Sequence, residues 1–270
     1  MHLAAALLLP LAVLGQPLPP TAQMFADANA IIARATVGAE NTTGWDRLAY
    51  ITDTFGPRLS GSASLNAFIQ YAAAQAAADG LKVTLEPVMV PHWVRGAEWA
   101  QLESPRAKRL HFCGAGYSNG TGGRPLTAPV LVVGSLAELQ ARAAEAVGKI
   151  ILFDWPVWEG YGTTVSFRVN AANWAASVGG VGALFKSITY WGLQTCHTGV
   201  SQPGPVASGA VSHEDALQMR RMAARGQAVV VTMYMEAQQQ ADVLSWNLIM
   251  DYTPPTAAFP DELVIVSGHL

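Results

Sequence analysis

The residue best placed to do chemistry in this chain is a histidine near its last position. Asp261-Glu262-Leu263-Val264-Ile265-Val266 holds four consecutive apolar residues, three of them β-branched, and reads as a buried strand. Ser267-Gly268 then permits a tight turn, which puts His269 at the strand's C-terminal end. Open α/β sheets place their binding sites at that edge. A neutral imidazole there is a good zinc ligand when other donors converge on it. Only Leu270 follows, so the remaining donors are expected outside this sequence, and no catalytic residue is expected within it.

Other chemistries find less support. No Gly-x-Ser-x-Gly elbow occurs, and neither Cys113 nor Cys196 sits in a nucleophile signature, so covalent acyl transfer is not indicated. Cys-x-x-Cys and His-Glu-x-x-His spacings are absent as well. His197 has a cysteine beside it, yet sequence neighbours cannot easily share a tetrahedral site. A loop histidine hydrogen-bonded to backbone is the simpler reading. Val130-Leu131-Val132-Val133-Gly134-Ser135 resembles the opening of a dinucleotide fold, but that fingerprint needs three glycines and only Gly134 is present. Trp93, Trp155, Trp158, Trp174 and Trp191 would stack a ligand or fill a core, and core is the usual fate in an apolar chain.

Composition bounds the class. Hydrophobic residues make up 51% and charged residues 13% of 270 positions, which predicts a packed core of one large or two ordinary domains. A net charge of −3 gives no reason to expect nucleic acid or an anionic membrane as partner. Leu3 to Leu14 is an apolar run too short to span a bilayer, followed at once by Gln16-Pro17-Leu18-Pro19-Pro20. It reads as a signal peptide over residues 1–15, and no later run reaches transmembrane length. The sequons Asn41-Thr42-Thr43 and Asn119-Gly120-Thr121 agree with secretion and make Asn41 and Asn119 candidate glycosylation sites. Cys113 and Cys196 would be able to pair in an oxidising compartment, although their presence alone does not establish a bridge.

The elements that must position His269 follow from periodicity. Helices are expected over residues 24–39, from Gly44 to Thr54, and from Ser64 to Asp79, where Leu65, Phe68, Ile69 and Ala72 share a face. Leu81, Val83 and Leu85 alternate with polar residues as a half-buried strand does. Pro87–Gly96, with Pro91-His92-Trp93, reads as a connector and a domain boundary. Beyond it come strand Val130–Val133, a capping box at Ser135–Glu138 opening a helix to Gly148, and strand Ile150–Phe153. A helix at 164–178, strand Val181–Phe185, a helix capped by Ser212 and strand Ala228–Met233 complete an α/β module of roughly 140 residues. Asn247–Met250 and Leu263–Val266 then read as adjacent strands that rejoin the first domain.

Matching stretches run in order through everything after the leader: Asp46-Arg47-Leu48-Ala49, Gly56-Pro57-Arg58-Leu59-Ser60-Gly61, Asp79-Gly80-Leu81, Leu85-Glu86-Pro87-Val88, Pro91-His92-Trp93, Glu138-Leu139-Gln140 with Gly148-Lys149-Ile150, His197-Thr198-Gly199, Glu214-Asp215-Ala216 and Val266-Ser267-Gly268-His269-Leu270. By these the chain resembles the N-terminal half of secreted zinc metallopeptidases of the M28, aminopeptidase-like family. The resemblance implies an α/β fold: a partial zinc-exopeptidase catalytic domain interrupted by a protease-associated (PA) type insert. It implies a signal peptide (1–15), N-terminal helices and the first part of the catalytic domain (16–90), the PA-type insert (91–240) and the start of the catalytic sheet (241–270).

In that family the strand ending in Ser-Gly-His-x-Asp delivers a histidine ligand, onto which His269 maps, and then an aspartate bridging two zinc ions. The aspartate, the acidic general base and the remaining ligands would all lie after Leu270. Two zinc ions polarise a scissile carbonyl and activate a bridging water, and an acidic residue must take the water's proton. His269 alone does none of this, so zinc is not expected to bind stably to this chain. The family reading implies hydrolysis of dipeptides or small peptides, a homodimer, and secretory entry with extracellular, lysosomal, ER or Golgi residence. It leaves open whether this chain is itself an enzyme. The alternative is a non-catalytic short form acting as a binding or partner module. A strand at 263–266 lacking cover from flanking helices would be exposed, which predicts a well-packed central module beside poorly supported catalytic-domain pieces.

Overall fold

The computed structural model describes residues 21–38, 40–255 and 261–269. The expected signal peptide at 1–15 lies outside them. The chain divides into two units, one ending at Gly56 and the other beginning at Pro57. The first contains α1 (Ala22–Thr36), capped by Thr21 Oγ1 accepting from the Met24 amide at 3.2 Å, and α2 (Thr43–Phe55). Neither helix buries a side chain.

The second unit opens with α3 (Ala63–Ala78), which buries Phe68, Ile69 and Ala76. Its N-cap is Ser62, whose Oγ accepts from the Leu65 amide at 3.1 Å. Ser64, where the sequence reading starts this helix, instead donates to the Pro57 carbonyl. Two strands follow that bracket, in sequence, the strands and helices from Glu98 to Met235: β1 (Lys82–Val94) and, far along the chain, a strand over Gln238–Asp251. They pair antiparallel as a two-stranded ribbon, from Lys82 opposite Asp251 to Val94 opposite Gln238. The expected connector at Pro87–Gly96 is therefore corrected: residues through Val94 are strand. Proline lacks the ladder donor and is tolerated at edges and bulges. Both ribbon strands are edges, and the register shifts between Val90 and His92, at Pro91.

Between those strands lie β2 (Glu98–Ser104), β3 (Lys108–Arg109), β4 (Phe112–Gly114), β5 (Leu126–Val133), α4 (Leu136–Ala141), α5 (Ala143–Ala146), β6 (Ile150–Phe153), α6 (Tyr161–Ser177), β7 (Gly182–Lys186), β8 (Ser208–Val211), α7 (His213–Ala224) and β9 (Val230–Met235); the ribbon's second strand is β10. The strands from β2 to β9 form one eight-stranded sheet in the order β3-β2-β9-β5-β6-β7-β8-β4. Its centre is parallel, β5 to β6 to β7 to β8; α4 and α5 make the first crossover, α6 the second, and the non-helical segment 187–207 the third. β9 returns antiparallel between β5 and β2. Ile150 and Leu152 enter one core with Ala216, Met219 and Met233, while Ile151 and Phe153 enter another with Ala171, Ala175 and Phe185. Alternate residues of one strand thus serve two cores, as expected of a sheet covered on both faces.

Leu263–Val266 is the second correction. These residues form no strand and are 79, 88, 78 and 92% exposed. β10 pairs with β1 alone, so the expected neighbour of Asn247–Met250 is not Leu263–Val266. A strand needs a partner for its amides and carbonyls and a surface to cover its side chains, and neither meets this run among the described residues. The single helix expected from Ser135 to Gly148 is also broken, at Arg142, whose guanidinium donates to the Val132 carbonyl and pairs with Glu138 and Glu145.

Candidate functional site

The carboxyl edge of the parallel strands carries a cluster of buried charges. Asp154 follows β6, Lys186 ends β7, and Ser212 and His213 follow β8 and open α7. Ser212 caps that helix, its Oγ accepting from the Asp215 amide at 3.1 Å. The Asp154 carboxylate, 0% exposed, lies 2.6 Å from Lys186 Nζ and 3.0 Å from Arg220 Nε. Its oxygens make no well-angled hydrogen bond, so the contacts are chiefly Coulombic. Lys186 also donates to the Trp155 carbonyl at 2.5 Å and sits over the Trp155 ring at 3.9 Å.

Burial pushes the Lys186 pKa below its ordinary value, against the pull of Asp154. His213 abuts Trp155 edge-on at 5.3 Å. Its pKa is also depressed, first by burial and then by the Lys186 charge, while Asp154 and Glu214 pull the other way. Asp215 is held below its ordinary value although burial alone would raise it. Lys108 Nζ at 2.5 Å and the His111 amide at 2.8 Å outweigh the desolvation. Together these groups pin the loops at the sheet edge to α7.

A cavity of about 630 Å³ opens beside Gly134 and Ser135 at the end of β5. Three cations, Arg142, Lys149 and Arg220, line it with three carboxylates, Glu138, Glu145 and Asp154. The Gly134 amide, which a phosphate would need, donates instead to Glu138 Oε2 at 2.7 Å. The sparse glycine pattern therefore has a structural use: it forms a self-satisfied cap.

His269 stands exposed in an irregular segment. Among the described residues, no group of three or more His, Cys, Asp or Glu side chains is arranged to hold a metal ion. The described donors do not by themselves make up the two-zinc site that the family resemblance implies. Asn41 is exposed in the turn before α2, and Asn119 is exposed with its Nδ2 donating to the Gly204 carbonyl at 2.9 Å. Cys113 and Cys196 form a disulfide with Cα atoms 5.9 Å apart, within the normal range. His197 lies in the loop this disulfide tethers, and its backbone amide donates to Ser187 Oγ at 3.0 Å. Its ring meets Tyr161 at 6.0 Å, and burial lowers its pKa. Asp154 and Lys186 were not anticipated as partners. Each directly follows or ends an apolar strand, and that position was the available signal.

No family model matches the chain. The chain is 42% identical to carboxypeptidase Q of Mus musculus over 248 residues, covering 90% of this chain and 52% of the relative. Carboxypeptidase Q of Homo sapiens is 40% identical over the same share of each. The chain thus spans about half the length of the curated relatives it matches. Among solved structures, a peptidase M28 precursor from Shewanella amazonensis superposes with a TM-score of 0.76 at 28% identity, over 84% of this chain and 53% of the other. A zinc aminopeptidase from Bacillus subtilis shares the fold at a TM-score of 0.56 and 18% identity, over 80% of this chain and 48% of that one.

Proposed function

The chain is a relative of carboxypeptidase Q and fits the N-terminal part of that M28-type peptidase, and from this premise we propose that it is the N-terminal portion of a secreted, zinc-dependent exopeptidase. The reaction assigned is carboxypeptidase or dipeptidase hydrolysis of dipeptides and small peptides. The observation that carries it is identity of 38–42% to six carboxypeptidase Q sequences over 248 residues. Residues 91–240 are read as the PA-type insert, and residues 16–90 and 241–270 as pieces of the catalytic domain. The position of the ribbon supports this reading, because β1 and β10 bracket the eight-stranded sheet in sequence.

In this reading His269 is one zinc ligand and the other donors follow Leu270. Asn41 and Asn119 carry glycans, and the Cys113–Cys196 disulfide supports passage through an oxidising compartment. No described helix is long and apolar enough to cross a membrane. A small peptide is the substrate and a second copy of the protein the partner. The second reading is a non-catalytic short form that acts as a binding or partner module.

The deciding experiment is the mass of the native secreted protein after deglycosylation, with its C-terminal peptide sequenced. Continuation with aspartate after Leu270, together with zinc-dependent hydrolysis of unblocked dipeptides that a chelator abolishes, is the expected result. A native protein ending at Leu270 and inert toward dipeptides would sink the peptidase reading. As a companion measurement, zinc titrated into the 270-residue chain is expected to bind no tighter to the native sequence than to His269→Ala. A stoichiometric, His269-dependent site would contradict that expectation.

A further inference from the structure

Three segments meet at the carboxyl ends of β6, β7 and β8: residues 154–160, residues 187–196, and the start of α7 at His213 and Glu214. That end of a parallel sheet is where α/β folds bind their ligands. Aromatic side chains there form a continuous series from core to surface. His213 abuts Trp155, Trp155 lies 5.7 Å from Trp158, Trp158 6.4 Å from Tyr190, and Tyr190 5.6 Å from Trp191. Trp155 is 3% exposed, whereas Tyr190 and Trp191 are 65 and 68% exposed. Val157 and Leu193, close to these rings in sequence, are exposed as well.

The loop that carries Tyr190 and Trp191 is anchored at both ends. Ser187 Oγ, just before it, donates to the Val211 carbonyl at 2.8 Å and accepts from the His197 amide just after it. Ile188 is buried, and Cys196 is tied to Cys113. The outer rings are therefore displayed from a fixed base.

The inner end of the series shows how such rings hold a cation. Lys186 Nζ sits over the Trp155 ring at 3.9 Å, with the Asp154 carboxylate 2.6 Å away. The outer end has the same kinds of partner. Glu159 is exposed beside Trp158 in sequence, and a Cβ at Gly192 would collide with the Glu214 carboxylate, so that carboxylate lies directly under the turn after Trp191. Glu214 Oε2 is buried and accepts no hydrogen bond among the described residues. No described lysine or arginine lies over Trp158, Tyr190 or Trp191, and residues 156–160 and 188–194 contain neither type. Arg220, the nearby guanidinium, is held by Asp154.

We propose that this surface docks a basic segment of a partner polypeptide, with an arginine or lysine side chain over the Tyr190 and Trp191 rings and paired with Glu159 or Glu214. The faces of Trp and Tyr rings attract cations, and Trp and Tyr are enriched among the residues that anchor protein interfaces. Two carboxylates repel an anionic bilayer, and a purely apolar partner would leave Glu214 covered without a counter-charge. The inference goes beyond the peptidase reading and does not depend on it, because the segment is internal to its own chain and neither of its termini takes part.

The test is equilibrium binding of dye-labelled peptides, blocked at both ends, to the 270-residue chain. One peptide carries arginines in a Gly-Ser background, and the other carries citrulline, a neutral analogue, in their place. The arginine peptide is expected to bind at least ~10-fold tighter and to weaken as salt rises. Trp191→Ser and Glu159→Gln, both at exposed sites, are each expected to weaken it at least ~3-fold. Asp242→Asn, which removes the same charge from exposed β10, should leave it unchanged. Equal binding of the two peptides would overturn the inference on the unmodified chain, whether or not a variant folds. So would arginine binding that survives both Trp191→Ser and Glu159→Gln, or an equal loss in Asp242→Asn, which would assign the attraction to net charge alone. Capture by phosphatidylcholine vesicles, or a dimer that Trp191→Ser dissociates, in either case without a preference for arginine, would assign the surface to a bilayer or a second copy and overturn it too.

Discussion

Ile150-Ile151-Leu152-Phe153 and Leu263-Val264-Ile265-Val266 are nearly interchangeable as local sequence, yet their fates are opposite. Every residue of the first is 0% exposed, whereas the second is 78 to 92% exposed. The first lies between β5 and β7, whose backbones satisfy its amides and carbonyls, with a core on each face. The second has no neighbouring strand among the described residues. An apolar run therefore states a demand for burial; other parts of the fold decide whether it is met. The same contrast separates the module's sheet from the β1–β10 ribbon, where Met89, Leu244 and Met250 remain 59, 48 and 51% exposed.

The sharpest test of this contrast is truncation at matched positions. Phe153→Ala should cost about 3–5 kcal/mol in urea unfolding followed by circular dichroism, because it opens a cavity in a core that relaxes only partly. Val264→Ala should stay within about 0.5 kcal/mol. Similar losses at both would mean that Leu263–Val266 is packed in solution, and the comparison would fail. Next comes the charge cluster at the edge of the buried sheet. Asp154→Asn leaves Lys186, whose side chain is 3% exposed, without its carboxylate, and should cost about 3–5 kcal/mol. Replacing both, as Asp154→Asn with Lys186→Met, should recover part of that loss. No recovery would place the stabilisation in Asp154 contacts other than the ion pair.

Smaller effects test how α7 is held against the sheet. Ser212→Ala removes the N-cap hydrogen bond and should lower stability by about 1 kcal/mol, a loss visible as a lower urea midpoint. The pH dependence comes from His213. Its folded pKa lies below the ordinary 6.5, so folding favours its neutral form, and its contribution is complete above that value. Stability should then decline as pH falls below about 6.5 toward the folded pKa, and His213→Gln should flatten that part of the profile. An unchanged slope in the variant would assign the decline to other groups. Asp215 acts later, since its depressed pKa keeps its contribution intact above about 3.8.

Much of the module was legible because its signals are local. Ser212 and Ser135 read as N-caps and act as such, with Ser135 Oγ accepting from the Glu138 amide at 3.1 Å. Ile150–Phe153 read as a strand with the bounds it has. Gly179 and Gly226 stop helices with φ 79° and 73°, a conformation that glycine adopts without a Cβ penalty. Short strands such as β4 and β8 escaped notice, because Phe112-Cys113-Gly114 and Ser208-Gly209-Ala210-Val211 contain glycine and lack the unbroken apolar run that marks β6. β1 was cut short at its prolines, where edge position and a bulge make proline acceptable.

The sequence by itself determined the α/β class, the capped helices and central strands of the module, and, through a series of collinear motifs, the kinship with M28 peptidases. It also marked His269 as the residue whose type and position suit a metal. Only the tertiary structure decided that Cys113 meets Cys196, that Asp154 and Lys186 pair beneath Trp155, and that Trp158, Tyr190 and Trp191 meet at one sheet edge. It likewise decided that Leu263–Val266 stays uncovered among the described residues. Caps and periodicity are set by bonds within a few residues of one another. Pairing, burial and charge compensation depend on groups brought together from distant positions, and no local pattern records which groups those will be.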